Sequence, residues 1–126
     1  TSLQGLDAPN LTELNVASNR ISSIEHAVDG MPCLQSLNLA DNRLCSYREV
    51  IALSRLDSLR TLSFADPDFG ENPICFLCNY QTYVLYHLPK LQVHDQMRVA
   101  PEAHAAAMNA FIKKRLFYNM RIETLQ

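Results

Sequence analysis

The stretch NPICFLCNYQTYVLYHLPKL, from Asn72 to Leu91, carries Cys75 and Cys78 in a C-x-x-C arrangement. Two thiols at this spacing can be half of a zinc site, a redox pair, part of a disulfide cap, or small apolar packing residues. A structural zinc needs four ligands, typically a second C-x-x-C or a pair of histidines. Cys33 and Cys45 stand at no matching spacing, and His87 and His94 lie too far apart for an H-x-x-x-H pair. A thioredoxin-like pair belongs at a helix start within a βαβ unit, and the rest of that unit is missing. The sequence therefore favours packing, with Leu77 between the two thiols facing the core.

Other chemistry is scarce. The acidic loop DPDFGE, with Asp66, Asp68 and Glu71, lacks the twelve-residue ligand spacing of a calcium loop and reads as a solvated turn. His26, His87, His94 and His104 are scattered, and each reads as a surface or packing residue. No G-x-S-x-G, phosphate loop or H-E-x-x-H occurs, and Gly appears only 3 times. The expectation is no enzyme, with no catalytic, cofactor-binding or metal-ligating residues. A net charge of -2 predicts no strong attraction to nucleic acid or anionic membrane. No apolar run approaches the roughly 18 residues of a membrane span. The 126 residues start mid-pattern at Thr1 and end mid-pattern at Gln126, and are expected to be a piece of a longer protein that is monomeric as a fragment.

The elements that position these residues come from an internal repeat. LTELNVASNRI from Leu11 and LQSLNLADNRL from Leu34 both fit L-x-x-L-x-L-x-x-N-x-L. A third unit, LRTLSFADPDF from Leu59, keeps Leu62, Phe64 and Phe69 but has Pro67 where Asn belongs. A fourth start at Leu91 decays at His94. TSLQGLDAP reads as the tail of an earlier repeat. Within each unit the leucines alternate at period two and point inward from a short strand. One repeat cannot bury its apolar face alone, so successive strands stack into a parallel sheet. Ile21, Ile24 and Leu44 close the core beneath. Asn19 and Asn42 are expected to be buried, with their amides satisfied by the turn. SSIEHAVDGMPC leaves room only for 3₁₀ or irregular turns, whereas CSYREVIALSRLDS can hold about two helical turns.

This pattern resembles the leucine-rich repeat, and its 23- and 25-residue steps resemble the short intracellular class. The segment from Asn72 to Asp95 resembles the C-terminal cap of intracellular leucine-rich repeats, with Asn72, Pro73, Tyr80, Val84, Leu88, Pro89, Leu91 and Asp95 at matching positions. Gln81 replaces the usual Arg, and His94 replaces the last Leu, which suggests a shallower or partly exposed final strand. Secreted leucine-rich proteins also follow the last repeat with N-P and close cysteines, but pair them with two more downstream. None follows Cys78 here, so reduced thiols fit better. The fold expected is an α/β solenoid: a curved parallel sheet of leucine-rich repeats with short convex turns, a helical C-terminal cap and a following helix. Its parts are 1–69 for the repeats, with units starting near 11, 34 and 59, then 70–97 for the cap and 98–126 for the last helix.

That last helix opens at Pro101 with Glu102 in its first turn and is rich in alanine. Phe111, Tyr118, Ile122 and Leu125 fall on a heptad-like seam interrupted by Arg115. The helix either packs back on the cap or starts a coiled coil. Lys113, Lys114 and Arg115 read as a solvated face. The cap and tail together resemble a block of the leucine-rich-repeat-containing protein nine family. That resemblance implies a non-catalytic scaffold or adaptor, cytoplasmic and associated with cilium, flagellum or cytoskeleton. Relatives with the same cap imply the alternative of a nuclear or phosphatase-linked adaptor. An extracellular recognition domain would need disulfides that the sequence does not supply.

Binding is left to the concave face. Its outward rows are Glu13, Ser36 and Thr61, then Asn15, Asn38 and Ser63, then Ala17, Ala40 and Ala65, flanked by Thr12, Gln35 and Arg60. The face is polar, small and nearly neutral. The alanine row would let a partner backbone approach closely, and the Asn/Ser row offers adaptable hydrogen bonds. The partner expected is a protein, not nucleic acid or membrane. Whether it uses this face or the last helix stays open. Asn19, Asn42, Tyr80, Val84, Leu88, Pro89 and Asp95 are expected to be structural.

Overall fold

The computed structural model describes residues 7–125, with side chains as far as Lys113. Residues 1–6 of the expected earlier-repeat tail TSLQGLDAP, and the side chains of Lys114, Arg115, Tyr118, Ile122 and Leu125, lie outside the described residues. In chain order the elements are β1 (Glu13–Asn15), a 3₁₀ turn (Val28–Gly30), β2 (Ser36–Asn38), α1 (Arg48–Leu53) and β3 (Thr61–Ser63). A second 3₁₀ turn (Pro73–Phe76), α2 (Tyr80–His87), β4 (Val93–His94), β5 (Met97–Arg98) and α3 (Pro101–Leu125) follow.

The five strands form one sheet in sequence order. The first four run parallel, and β5 folds back antiparallel on β4. Leu14, Leu37, Leu62 and His94 stand in register along one inward row. One carbonyl per repeat ties each strand to the next. Thr12 O accepts from Gln35 and Ser36, Gln35 O from Arg60 and Thr61, and Arg60 O from Gln92 and Val93.

The core lies behind the sheet. Leu34, Leu39, Leu44, Leu53, Leu62 and Phe64 are wholly buried. Ile21 and Ile24 close it, with exposures of 4% and 2%. The first connection contains only the 3₁₀ turn. The longer second connection forms six-residue α1, which buries Val50 and Leu53. Burying side chains of this size contributes about 1.5–3 kcal/mol each, and stacked repeats make that gain continuous.

A side-chain ladder closes the turns. Asn42 Oδ1 accepts from Ile21 N at 3.0 Å, and its Nδ2 donates to Leu39 O at 2.9 Å. Asn72 repeats this one layer on, accepting from Leu44 N at 3.0 Å and donating to Leu39 O and Phe64 O, both at 2.8 Å. Asn72, not the Pro67 position, is therefore the third rung. The segment Asp66–Gly70 bulges out between strand and rung, closed by two backbone bonds between its ends. Gly70 sits at φ 125 with Asp41 3.5 Å from where a Cβ would lie, a conformation that favours glycine. Asn19 corrects an expectation: it is exposed, although its Nδ2 still donates to Val16 O at 2.7 Å. Its layer borders no described repeat on the outer side.

Two further apolar expectations are corrected. Phe69 lies on the bulge and is 46% exposed. Leu77 falls in the extended link between the second 3₁₀ turn and α2 and is 38% exposed, while Ile74 takes the core position.

Candidate protein-binding face

The register sets the outward rows side by side: Glu13 beside Ser36 beside Thr61, and Asn15 beside Asn38 beside Ser63. Glu13, Asn15, Ser36, Asn38, Thr61, Ser63 and Gln96 line a depression of about 450 Å³, with Leu14 and Leu37. Thr12 and Gln35 are exposed at its margin. Arg60 is half-buried, and its guanidinium is tied to the carbonyls of Asp57 at 2.8 Å and Leu59 at 3.1 Å.

Two details differ from expectation. Ala40 is completely buried, so the alanine row offers no continuous outer surface; Ala17 and Ala65 are half-buried. The Asn side chains are not freely adaptable. Asn15 Oδ1 accepts from Ala17 N, and Asn38 Oδ1 from Ala40 N, each at 3.0 Å. Ser63 is 4% exposed, and its Oγ lies 2.6 Å from the carboxamide of Gln96. Val93, in register with Thr61, and Gln96 extend the face onto the cap. Sequence reading missed both because the repeat pattern stops at Leu91.

The cap end is built around Asp95. Its Oδ1 accepts from Phe64 N at 2.8 Å and Ala65 N at 3.2 Å, and its Oδ2 accepts from Tyr80 Oη at 2.7 Å. Burial, and then the Asp95 carboxylate, push the Tyr80 phenol well above its usual range. His94 overturns the shallow-strand expectation: it is 4% exposed, with Nε2 2.9 Å from Tyr80 Oη. Burial lowers its pKa, and Asp95 acts in the opposite direction. Val84 and Leu88 are buried beneath α2, and Pro89 is exposed just beyond the helix end.

The thiols part company. Cys75 is half-buried against the core, and burial raises its pKa; Cys78 is exposed, so packing describes only the first. Cys33 and Cys45 are exposed. Among the described residues, no group of three or more His, Cys, Asp or Glu is placed to hold a metal ion. No helix of the described residues is long and apolar enough to cross a membrane.

The first part of α3 packs back on the cap. His104 presents its ring nitrogens to Leu85 O at 3.2 Å and Leu91 O at 2.7 Å, and Ala107 is buried. Phe111 stacks on Tyr86 with centroids 4.0 Å apart. His87 is wedged among Tyr83, Tyr86 and Phe111, its buried Nε2 meeting no partner among the described residues.

Residues 3–120 match the family described as Leucine-rich repeat. The chain is 33% identical over 106 residues to U2 small nuclear ribonucleoprotein A' of Homo sapiens, covering 83% of this chain and 40% of that protein. It is 34% identical over 95 residues to Leucine-rich repeat-containing protein 23 of Xenopus tropicalis, covering 75% of this chain and 26% of that protein. Among solved structures, the SNF/U2A' complex of Drosophila melanogaster superposes with a TM-score of 0.76 at 27% identity, covering 86% of this chain and 60% of the matched chain. The chain thus spans well under half the length of these sequence relatives. The matches support a leucine-rich-repeat interaction module and indicate no enzymatic family. They do not single out the protein-nine family, and they lend no support to a cilium or cytoskeleton association.

Proposed function

The chain belongs to the leucine-rich-repeat family, and on that premise we propose that it is a non-catalytic protein-binding module of a nuclear adaptor. The observation that carries this reading is the pair of register-matched polar rows lining a depression on the outer sheet face. Nuclear placement is favoured over cilium or cytoskeleton because the U2 relatives are, by name, components of a nuclear ribonucleoprotein. The partner is taken to be a protein, since the structural relative was solved with SNF and, among the described residues, the charged group lining the depression is acidic Glu13. Attraction to a nucleic-acid backbone would need basic groups there. Solenoids bind through extended faces of this kind.

Purified SNF titrated into the chain by calorimetry tests the reading. Saturable binding by the wild type is expected. Ser36→Arg, which fills the depression without touching the core, should weaken it about tenfold or more while the melting temperature holds. Undiminished binding by the Arg variant would move the partner off this face.

A further inference from the structure

We infer that the outer face presents a fixed row of hydrogen-bond donors, and that its occupant is a protein segment carrying an acceptor oxygen over Asn15 and Asn38 and a Lys or Arg over Glu13. The inference rests on the protein-binding reading and adds the chemistry of the partner segment. An Asn carboxamide offers an acceptor oxygen and a two-proton donor, and which end faces outward is normally free. Here it is set. The Oδ1 atoms of Asn15 and Asn38 each accept a backbone N–H two residues on, at 3.0 Å. Their Nδ2 groups are left as the outward ends, and among the described residues they meet no acceptor of this chain. The two residues are register neighbours on adjacent strands, about 4.8 Å apart.

The row has definite ends. Ser63, third in line, donates its hydroxyl to the Gln96 carboxamide oxygen at 2.6 Å, the amide orientation in which Gln96 Nε2 also reaches Ala65 O at 2.9 Å, so the donors stop at Asn38. One row over, Glu13 is exposed on β1, two residues and about 7 Å along the strand from Asn15. An ordered pair of N–H donors suits a carboxylate or a backbone carbonyl, neither of which can donate in return. The nearby carboxylate suits a cation. Side chains four apart on a helix stand about 6 Å apart, which matches the separation of the two features. A helix with an acidic and a basic residue at that spacing therefore satisfies both at once.

The discriminating variants are Asn15→Asp and Asn38→Asp. Each keeps the oxygen that caps the backbone and replaces the outward donor with a second oxygen. Titrated with purified SNF, each should bind about tenfold more weakly than the wild type, as loss of a charge-assisted bond implies. Their melting temperatures should stay close to the wild-type value. Glu13→Lys should also bind more weakly, and its remaining binding should depend less on salt. Equal affinity of wild type and both Asp variants would overturn the inference and leave the binding reading intact. If Asn38→Asp melts early, Asn15→Asp at its exposed position gives the deciding comparison. A wild-type chain that fails to bind SNF would remove the binding reading and this inference with it.

Discussion

Asn72 shows how one side chain holds two layers together. It is 1% exposed and bonds Leu44 N, Leu39 O and Phe64 O. Replacing it with Ala takes the side-chain acceptor from Leu44 N and one donor each from Phe64 O and Leu39 O, the last still bonded to Asn42. Leaving a buried backbone group unpaired costs about 1–3 kcal/mol, so Asn72→Ala should lower the unfolding free energy by about 2 kcal/mol or more. Asn19→Ala, at an exposed rung, should cost under about 1 kcal/mol, since water replaces its partners. Denaturant titration of the two variants checks the ranking, and equal shifts would refute it. His94 carries a second residue-scale prediction. Its folded pKa is lowered, chiefly by burial, so the folded state resists protonation more than the unfolded chain does. The stability this supplies is full above about pH 6.5, the unfolded value, and is lost as pH falls through the lower folded value. His94→Leu removes this contribution and leaves Tyr80 bonded to Asp95. The difference in stability between wild type and His94→Leu should shift against the wild type on acidification from pH 7.5 to 5. Thermal melts of both proteins would show it, and a pH-independent difference would contradict it.

At the scale of elements, α2 and α3 form the contact by which the start of the last helix packs back on the cap. Helix α2 buries Val84 and Leu85 toward the fold, with Leu88 buried just past its end, and leaves Tyr83, Tyr86 and His87 half-buried on its flank. Tyr83 stacks on Tyr47 with centroids 3.9 Å apart, and Tyr47 donates to Cys78 O at 2.8 Å, which ties the repeat side to the cap. Phe111 of α3 covers Tyr86 and sets its ring edge-on to Tyr83 and His87. Phe111→Ala should cost about 2 kcal/mol, less than a fully buried aromatic because the site is partly open. It should also raise hydrogen exchange in the first turns of α3 while the sheet stays protected. Uniform loss of protection across the sheet would show that α3 is integral to the core and does not dock on it as a separate element.

For the whole molecule, a solenoid layer is stable only when both neighbours cover it, and the cap is the cover at one end. Deleting Asn79 to Asp95 would uncover Leu62, Phe64 and Ile74 and leave the β3 edge unpaired. The truncated chain should aggregate, read by light scattering after purification. A monomeric, cooperatively folding product would show the cap to be dispensable. The amino-acid sequence by itself determined the repeat, the parallel register and the rows beginning at Glu13 and Asn15, because period-two alternation fixes which face each residue takes. The contrast between 3₁₀ and helical connections was legible from their length. Burial was not legible wherever it depends on a neighbouring layer. Asn19 and Asn42 occupy the same place in their repeats, yet only Asn42 is enclosed. His94 reads as a broken repeat position, but Tyr80 arrives from α2 to meet its Nε2 while also bonding the adjacent Asp95. Ala40 is likewise buried where an outward residue was expected, whereas Phe69, Leu77 and Cys78 went the other way round, each with an environment set by what crosses it in space. Local spacing orients a side chain; only the packed layers decide whether it meets water, a partner group or the core.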